Sequence, residues 1–162
     1  MSTLKVTNLQ KLDGTTFPVG KIGQVVSTTK TDTFSTTSTS LTDITGMSVS
    51  ITPTSTSSKI LINASLSISA SSNVFYFCNL LRDSTEICIH DSASNRTRAT
   101  TGGQWGASAN DPTFDYTINF LDSPSSTSAL TYKLQMFSES SGTAYVNRGV
   151  ENDGDSAITG RF

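Results

Sequence analysis

The sequence is poor in the features that mark several large classes of protein. It has no apolar run of about eighteen residues, which argues against a membrane-spanning helix. Charged residues make up only 15% of the 162 residues and the net charge is -2, so the chain has no basic field to hold a nucleic-acid backbone. We therefore expect neither a membrane span nor a nucleic-acid partner.

Cysteine is nearly absent, and the two that occur predict no disulfide scaffold. Cys78 and Cys88 lack the paired spacing of a zinc site. Both lie in a predicted hairpin over residues 74–90, where a three-residue loop would place them opposite each other and a two-residue loop would send them to opposite faces. Because a directly cross-strand disulfide is strained, we expect separated thiols. No apolar run follows the first charged residue, which predicts no secretory signal and assembly in a cytoplasm.

Residues suited to catalysis or to cofactor binding are also scarce. The single histidine, His90, adjoins Asp91, but neighbours in a strand point to opposite faces, so a Ser-His-Asp relay would need a distant acid. No Gly-x-Ser-x-Gly elbow, Walker loop or dinucleotide fingerprint occurs. The acidic stretch 151–155 invites a calcium interpretation, but its spacing does not match an EF-hand and a turn is favoured. The sequence predicts a non-enzymatic protein with no cofactor and no metal site.

Serine and threonine are the abundant residues, and together they make up about a third of the chain. Such a composition is typical of a disordered or glycosylated stalk, of a flexible linker, or of a β-protein with hydroxyl-bearing outer faces. A stalk is rich in proline and poor in aromatics, whereas this chain has four Pro, eight Phe, four Tyr and 35% hydrophobic residues. That apolar content is enough for a core and favours the folded β-protein.

Apolar side chains recur at every second residue, which is the period of a β-strand. The clearest predicted strands are 59–69, with one core face and one mostly solvent-facing side, and 114–121. Further strands are predicted at 21–28, 31–35, 47–52, 74–81, 85–90, 129–138, 143–148 and 157–162. Almost no α-helix is expected, so the predicted fold is an all-β, antiparallel β-sandwich, jelly-roll-like, of about eight to ten strands.

Residues 91–113 lack the alternation of a strand, which predicts a long loop. In a compact domain such a loop is more often functional than incidental. The loop contains Trp105, Gln104, Asn110, Arg96 and Arg98. A pyranose ring stacks on an indole face, and amides and guanidinium groups bind its hydroxyls, so these five residues are a candidate receptor or glycan contact. Alternatively, Trp105 packs back as a plug of the loop or lies in a subunit interface, because exposed tryptophan is uncommon.

The beginning of the chain is a second break in the pattern. Its apolar positions are candidate assembly contacts: Leu4, Val6, Leu9 and Phe17. The segment is too short to fold alone, so we expect it to pair with another chain or to lie along the domain. The chain therefore divides into an anchoring arm over 1–20 and a β-sandwich head domain over 21–162.

Three stretches resemble bacteriophage proteins. Residues 1–10, followed by Asp13-Gly14 and Phe17-Pro18, resemble the start of many phage fibre and virion proteins, especially those of cyanophages and marine phages. Residues 23–62 are similar to a domain that recurs in those proteins, and residues 81–87 resemble its hairpin. The resemblance extends over essentially the whole chain, and the stretch 24–62 is its most specific part.

The resemblance implies a virion structural protein assembled in the host cytoplasm, and it transfers no catalytic residue. It implies a homotrimer with the arm at its three-fold axis and other virion proteins as partners. In such a protein the Trp105 loop is the candidate for host attachment through a surface glycan. A tail fibre or tail appendage is the favoured position. The alternative is a trimeric capsid decoration protein that ties capsomers together.

Overall fold

A computed structural model describes residues 22–71, 73–104, 113–139 and 142–150. Within these ranges the chain forms nine β-strands and no helix, which confirms the predicted all-β class. The strands are β1 (Phe34–Thr36), β2 (Thr42–Ile51), β3 (Ile60–Ala70), β4 (Phe75–Arg82), β5 (Thr85–Ile87), β6 (Thr101–Gln104), β7 (Phe114–Asp122), β8 (Leu130–Ser138) and β9 (Ala144–Val146).

The strands form two antiparallel sheets that pack face to face. One sheet has the order β1-β9-β3-β7, and the other has the order β2-β8-β4-β5, with β6 also paired to β4. The pairs β1 with β9, β2 with β8, β3 with β7 and β4 with β5 are nested, as in one long hairpin rolled up so that successive pairs enter alternate sheets. This winding is that of a jelly roll, so the predicted sandwich is confirmed.

The core lies between the two sheets and follows the alternation of side chains along each strand. In β8 every second residue is buried. Cys78 and Leu80 of β4 belong to one buried cluster with Leu66 and Ile68 of β3. Because each such side chain stabilises the fold by about 1.5–3 kcal/mol when fully buried, this cluster holds the sheets together.

Several predicted strand bounds are wrong. Residues 22–28 form no strand, since a strand needs a paired neighbour and this segment leaves Ile22 and Val25 exposed. The strand predicted at 47–52 begins earlier, at Thr42, and passes an irregularity in register near Gly46, whose φ is 85°. The strand predicted at 85–90 ends at Ile87, because Cys88 has a φ of 56° that a ladder cannot accommodate.

The outer side of β3 is less solvent-exposed than its alternation predicts. Ser67 and Ser69 are buried, because the chain that follows β9 lies over them. The amide of Asn147 donates to the carbonyl of Ser67 at 2.9 Å, and the Ser69 hydroxyl donates to the carbonyl of Arg148 at 2.6 Å. The prediction of a mostly solvent-facing side is therefore correct only for the first half of β3.

The two thiols are separate, as expected. The pairing of Leu80 with Ile87 sets a two-residue turn at Asp83 and Ser84, so Cys78 and Cys88 are not register partners and both are free. Cys78 lies in the core, and burial raises its pKa to about 12.

A charged network closes one end of the sandwich. Asp122, at the end of β7, accepts hydrogen bonds from Arg82 of β4 at 2.7 Å and from the Tyr132 hydroxyl of β8 at 2.6 Å. The amide of Ser123 donates to its other oxygen at 2.8 Å. Because β7 belongs to one sheet and β4 and β8 to the other, this network ties the two sheets together.

The four assembly residues predicted in the arm, Leu4, Val6, Leu9 and Phe17, lie outside the described residues. The arm itself, the strand predicted at 157–162 and the acidic stretch 151–155 also lie outside them. The division at residue 20 thus stays a prediction.

Candidate ligand-binding cleft

The edge of the five-stranded sheet is interrupted. Both β5 and β6 pair with the same side of β4, β5 at residues 80–82 and β6 at residues 75–78. Both strands run antiparallel to β4 and lie one after the other along that edge. The chain between them, residues 88–100, leaves the sheet and forms an excursion. The structure thus corrects the predicted single loop over 91–113, since β6 divides it.

Thr100 marks the point where the chain rejoins the sheet. Its hydroxyl accepts from the amide of Leu80 at 2.9 Å, and its own amide donates to the side-chain oxygen of Asn79 at 3.2 Å. Asn79 is 1% exposed and also donates to Glu86 at 3.1 Å. These bonds hold β5 and β6 against β4 on both sides of the excursion.

Hydrogen bonds join the beginning and the end of the excursion. The amide of His90 donates to the carbonyl of Ala99, and the Arg98 guanidinium donates to the carbonyl of His90 at 2.7 Å. At the tip, a positive φ of 54° at Ser94 reverses the chain, and the Arg96 amide donates to the carbonyl of Ala93.

A cleft of about 500 Å³ lies between this excursion and the outer face of β4 and β6. Its lining combines two aromatic side chains, the backbone of two glycines and a polar rim. The principal groups are Phe75, Phe77, Gly102, Gly103, His90, Asn95, Arg96, Thr97, Gln104 and Glu139.

The floor of the cleft is aromatic because β4 alternates. Tyr76 and Cys78 point into the core, so Phe75 and Phe77 lie on the opposite, outer face. Phe77 stacks on Phe137 of β8 with ring centroids 5.1 Å apart and an interplanar angle of 26°. Phe75 is not covered in this way and is 40% exposed.

Gly102 lets this floor stay flat. It is the register partner of Phe77, and a Cβ atom at this position would lie 2.7 Å from the Phe77 ring and 2.6 Å from the carbonyl oxygen of Tyr76. Any side chain here would therefore displace the ring or the strand.

Near its tip, the excursion is joined to the end of β8 by a side-chain bond. The Thr97 hydroxyl donates to Glu139 at 3.2 Å, and Glu139 follows β8 directly. The amide of Glu139 donates to the carbonyl of Phe75 at 2.9 Å, which places its carboxylate beside the aromatic floor.

The predicted glycan residues have different positions. Arg96 and Gln104 both line the cleft, whereas Arg98 is bonded to the carbonyl of His90 at the base of the excursion. Trp105 and Asn110 lie outside the described residues.

Sequence reasoning missed Phe75, Phe77 and Glu139. The two phenylalanines flank Tyr76 in a strand, so the pattern does indicate that they share a face, but not that this face carries a cleft. Glu139 has no local signal, because its role depends on Thr97, which is 42 residues away in sequence.

Across the residues that the structure describes, no group of three or more metal-ligating side chains occurs. In the same residues no helix is long and apolar enough to cross a membrane. No family model matches the chain, and no curated protein matches it.

Proposed function

We propose that this chain is a non-enzymatic structural protein of a bacteriophage particle, a homotrimeric tail fibre or tail appendage that contacts a host-surface glycan through its loops. The observation that carries the proposal is the cleft, which combines an exposed aromatic ring with a polar rim on a jelly roll poor in charge. The resemblance of residues 1–62 to phage fibre and virion proteins supports the same conclusion.

The positions of the termini and of the cleft support an anchored domain. The first and last described strands, β1 and β9, are paired, and the Asn147 side chain donates to the carbonyl of Lys30 at 2.9 Å. Both segments thus leave the sandwich on one side. In the sheet orders β1 and β2 each lie at an edge, whereas β5 and β6 lie at the opposite edge of the five-stranded sheet, where β6 lines the cleft. An arm could hold the chain on one side while the cleft faces outward on the other.

The lining of the cleft supports binding without hydrolysis. Glu139 is the single carboxylate among the described lining residues. Glycoside hydrolysis by the usual mechanism uses a pair of carboxylates, separated by about 5–10 Å.

The location of the protein in purified phage particles tests the proposal. We expect antibodies against the chain to label the tail by electron microscopy, and quantitative mass spectrometry to find a low copy number per particle. Light scattering of the full chain should give a trimer. Absence of the chain from purified particles would refute a virion role, and a monomer with the arm intact would refute the trimer.

An apolar pair favours a second candidate, the capsid decoration protein. Leu61 and Leu121 are register partners on the outer face of the other sheet, and they are 70% and 59% exposed. Paired exposed leucines on the outer face of a sheet are suited to lie on another protein. A number of copies per particle comparable with the number of capsid subunits would select this candidate over the tail protein.

A further inference from the structure

We propose that the cleft binds a neutral hexopyranose unit of a polysaccharide, with Phe75 as the stacking platform and with Gln104 and Glu139 binding its hydroxyl groups. The inference deepens the proposed function and rests on it for the source of the sugar, a host-surface glycan.

Phe75 has the exposure and the support that a stacking platform needs. Phe75 is 40% exposed on the floor of the cleft, and the neighbouring Phe77 is held in place by its stack on Phe137. The face of an aromatic ring carries partial negative charge, which attracts the polarised C–H groups on one face of a pyranose. Gly102 has no side chain to occupy the space beside these rings.

Polar groups stand beside this platform. Gln104 is the register partner of Phe75, so its carboxamide, which can donate and accept, projects from the same face. Glu139 is tied to Phe75 through its amide and to Thr97 through its carboxylate. A carboxylate has about four acceptor sites, so Glu139 retains capacity for sugar hydroxyls while it bonds Thr97.

The charges of the lining favour a neutral sugar over an acidic one. Arg96 supplies a positive charge and Glu139 a negative one, and both line the same cleft. A sugar carboxylate or a phosphate would gain from Arg96 but would be repelled by Glu139. Neutral hydroxyls can accept from the guanidinium and donate to the carboxylate at the same time.

Heteronuclear NMR on the full chain tests the inference. The probes are cellobiose, lactose and mannobiose as neutral sugars, with glucuronic acid and inorganic phosphate as anionic ones. We expect at least one neutral disaccharide to shift the amide signals of residues around Phe75 and Gln104. We expect Phe75→Leu to weaken its binding roughly tenfold, which corresponds to about 1.4 kcal/mol, and Glu139→Gln to weaken it as well.

Phe114 offers a matched control. It is 48% exposed on β7 of the other sheet, so Phe114→Leu makes the same change away from the cleft. We expect this variant to bind as the unchanged chain does, with circular dichroism and Tm measured for all variants. Equal weakening by the two phenylalanine variants, stronger binding of the anionic probes, or no shift with any neutral sugar would refute the inference.

The two proposals fail separately. A chain found in phage particles that binds none of the neutral sugars contradicts the cleft assignment and leaves the virion role standing. A chain that binds a neutral disaccharide through Phe75 but is absent from particles contradicts the virion role alone.

Discussion

The two ends of strand β4 differ in the polar contacts that surround them. At its last residue, the partly exposed Arg82, the strand enters the network with the buried Asp122 and Tyr132, which joins the two sheets. At its first residue, Phe75 is exposed, and the carboxylate of Glu139, whose amide bonds the Phe75 carbonyl, accepts from a hydroxyl of the excursion. One end therefore uses charge to hold the sandwich together, and the other leaves polar groups available to a ligand.

This difference shows how a chain with few charges can be both stable and able to bind. A buried, hydrogen-bonded ion pair is destabilising to break, because removal of one partner leaves the other desolvated. An exposed bond such as that of Thr97 contributes little to stability, so its groups can exchange one partner for another. We expect substitutions at the closed end to affect unfolding and those at the cleft end to affect binding.

The largest effect is expected at the closed end. Asp122→Asn removes the negative charge that faces Arg82 and should lower the free energy of unfolding by about 3 kcal/mol. This is the lower end of the range for a buried pair that loses one partner, because Asp122 is buried while Arg82 is partly exposed. Urea denaturation followed by circular dichroism measures it. Asp115→Asn, an exposed change on the same strand, is the control. Equal stability of the two variants would show that the network does not hold the sheets together.

The same network predicts a dependence of stability on pH. Burial by itself would raise the pKa of Asp122, but the hydrogen bonds from Tyr132 and Arg82 outweigh it and hold that pKa below its ordinary value of 3.8. A carboxyl with a lowered pKa contributes stability that is present above 3.8 and is lost as the pH falls through the folded value.

Comparison of the unchanged chain with Asp122→Asn isolates this contribution from other carboxyls. Unfolding in urea across pH 7 to pH 2.5 should show the difference in stability between the two shrinking only at the acidic end, below about pH 4. A difference that is constant down to the lowest pH would contradict the lowered pKa of Asp122.

A smaller loss of stability is expected on the cleft floor. Gly102→Ala places a Cβ atom against the Tyr76 carbonyl and the Phe77 ring, so overpacking should lower the free energy of unfolding by about 1–3 kcal/mol. Gly23→Ala is the control, since a Cβ atom there meets no atom within 4 Å. Thermal unfolding compares the two, and equal Tm values would show that the floor can relax around the added methyl group.

The smallest effect on stability is expected at the wall of the cleft. Thr97→Val removes the bond to Glu139 and should change the free energy of unfolding by about 0.5 kcal/mol or less, as for other exposed sites. Hydrogen exchange of the amides at 93–97 should nevertheless become faster, because the tip loses its tie to the sheet. Unchanged exchange, with Thr45→Val as the exposed control, would contradict this role of Thr97.

Much of the fold can be predicted from the sequence, and the errors have clear causes. The alternation in residues 114–121 predicts β7 well because the strand has one buried and one exposed side. The same reasoning fails at 22–28, where alternation occurs without a paired strand. It is half correct in β3, where distant residues cover Ser67 and Ser69.

The residues of the candidate site also divide into some that the sequence indicates and some that it does not. Arg96 and Gln104 could be proposed from composition, because polar residues in a long loop are frequent ligand contacts. Phe75 and Glu139 could not, because their neighbours come from strands that are distant in sequence.

The sequence by itself determined the all-β class and the hydroxyl-rich, charge-poor composition, because these depend on local periodicity and on residue content. It left the length of the hairpin loop open, and the pairing of Arg82 with Thr85 decided the two-residue turn that separates the thiols. Only the tertiary structure decided that β5 and β6 share one edge of β4, that Asp122 joins the sheets, and that Phe75 and Glu139 border one cleft. Each of these depends on pairing between distant segments, and the register of that pairing is set by the packing of the whole core.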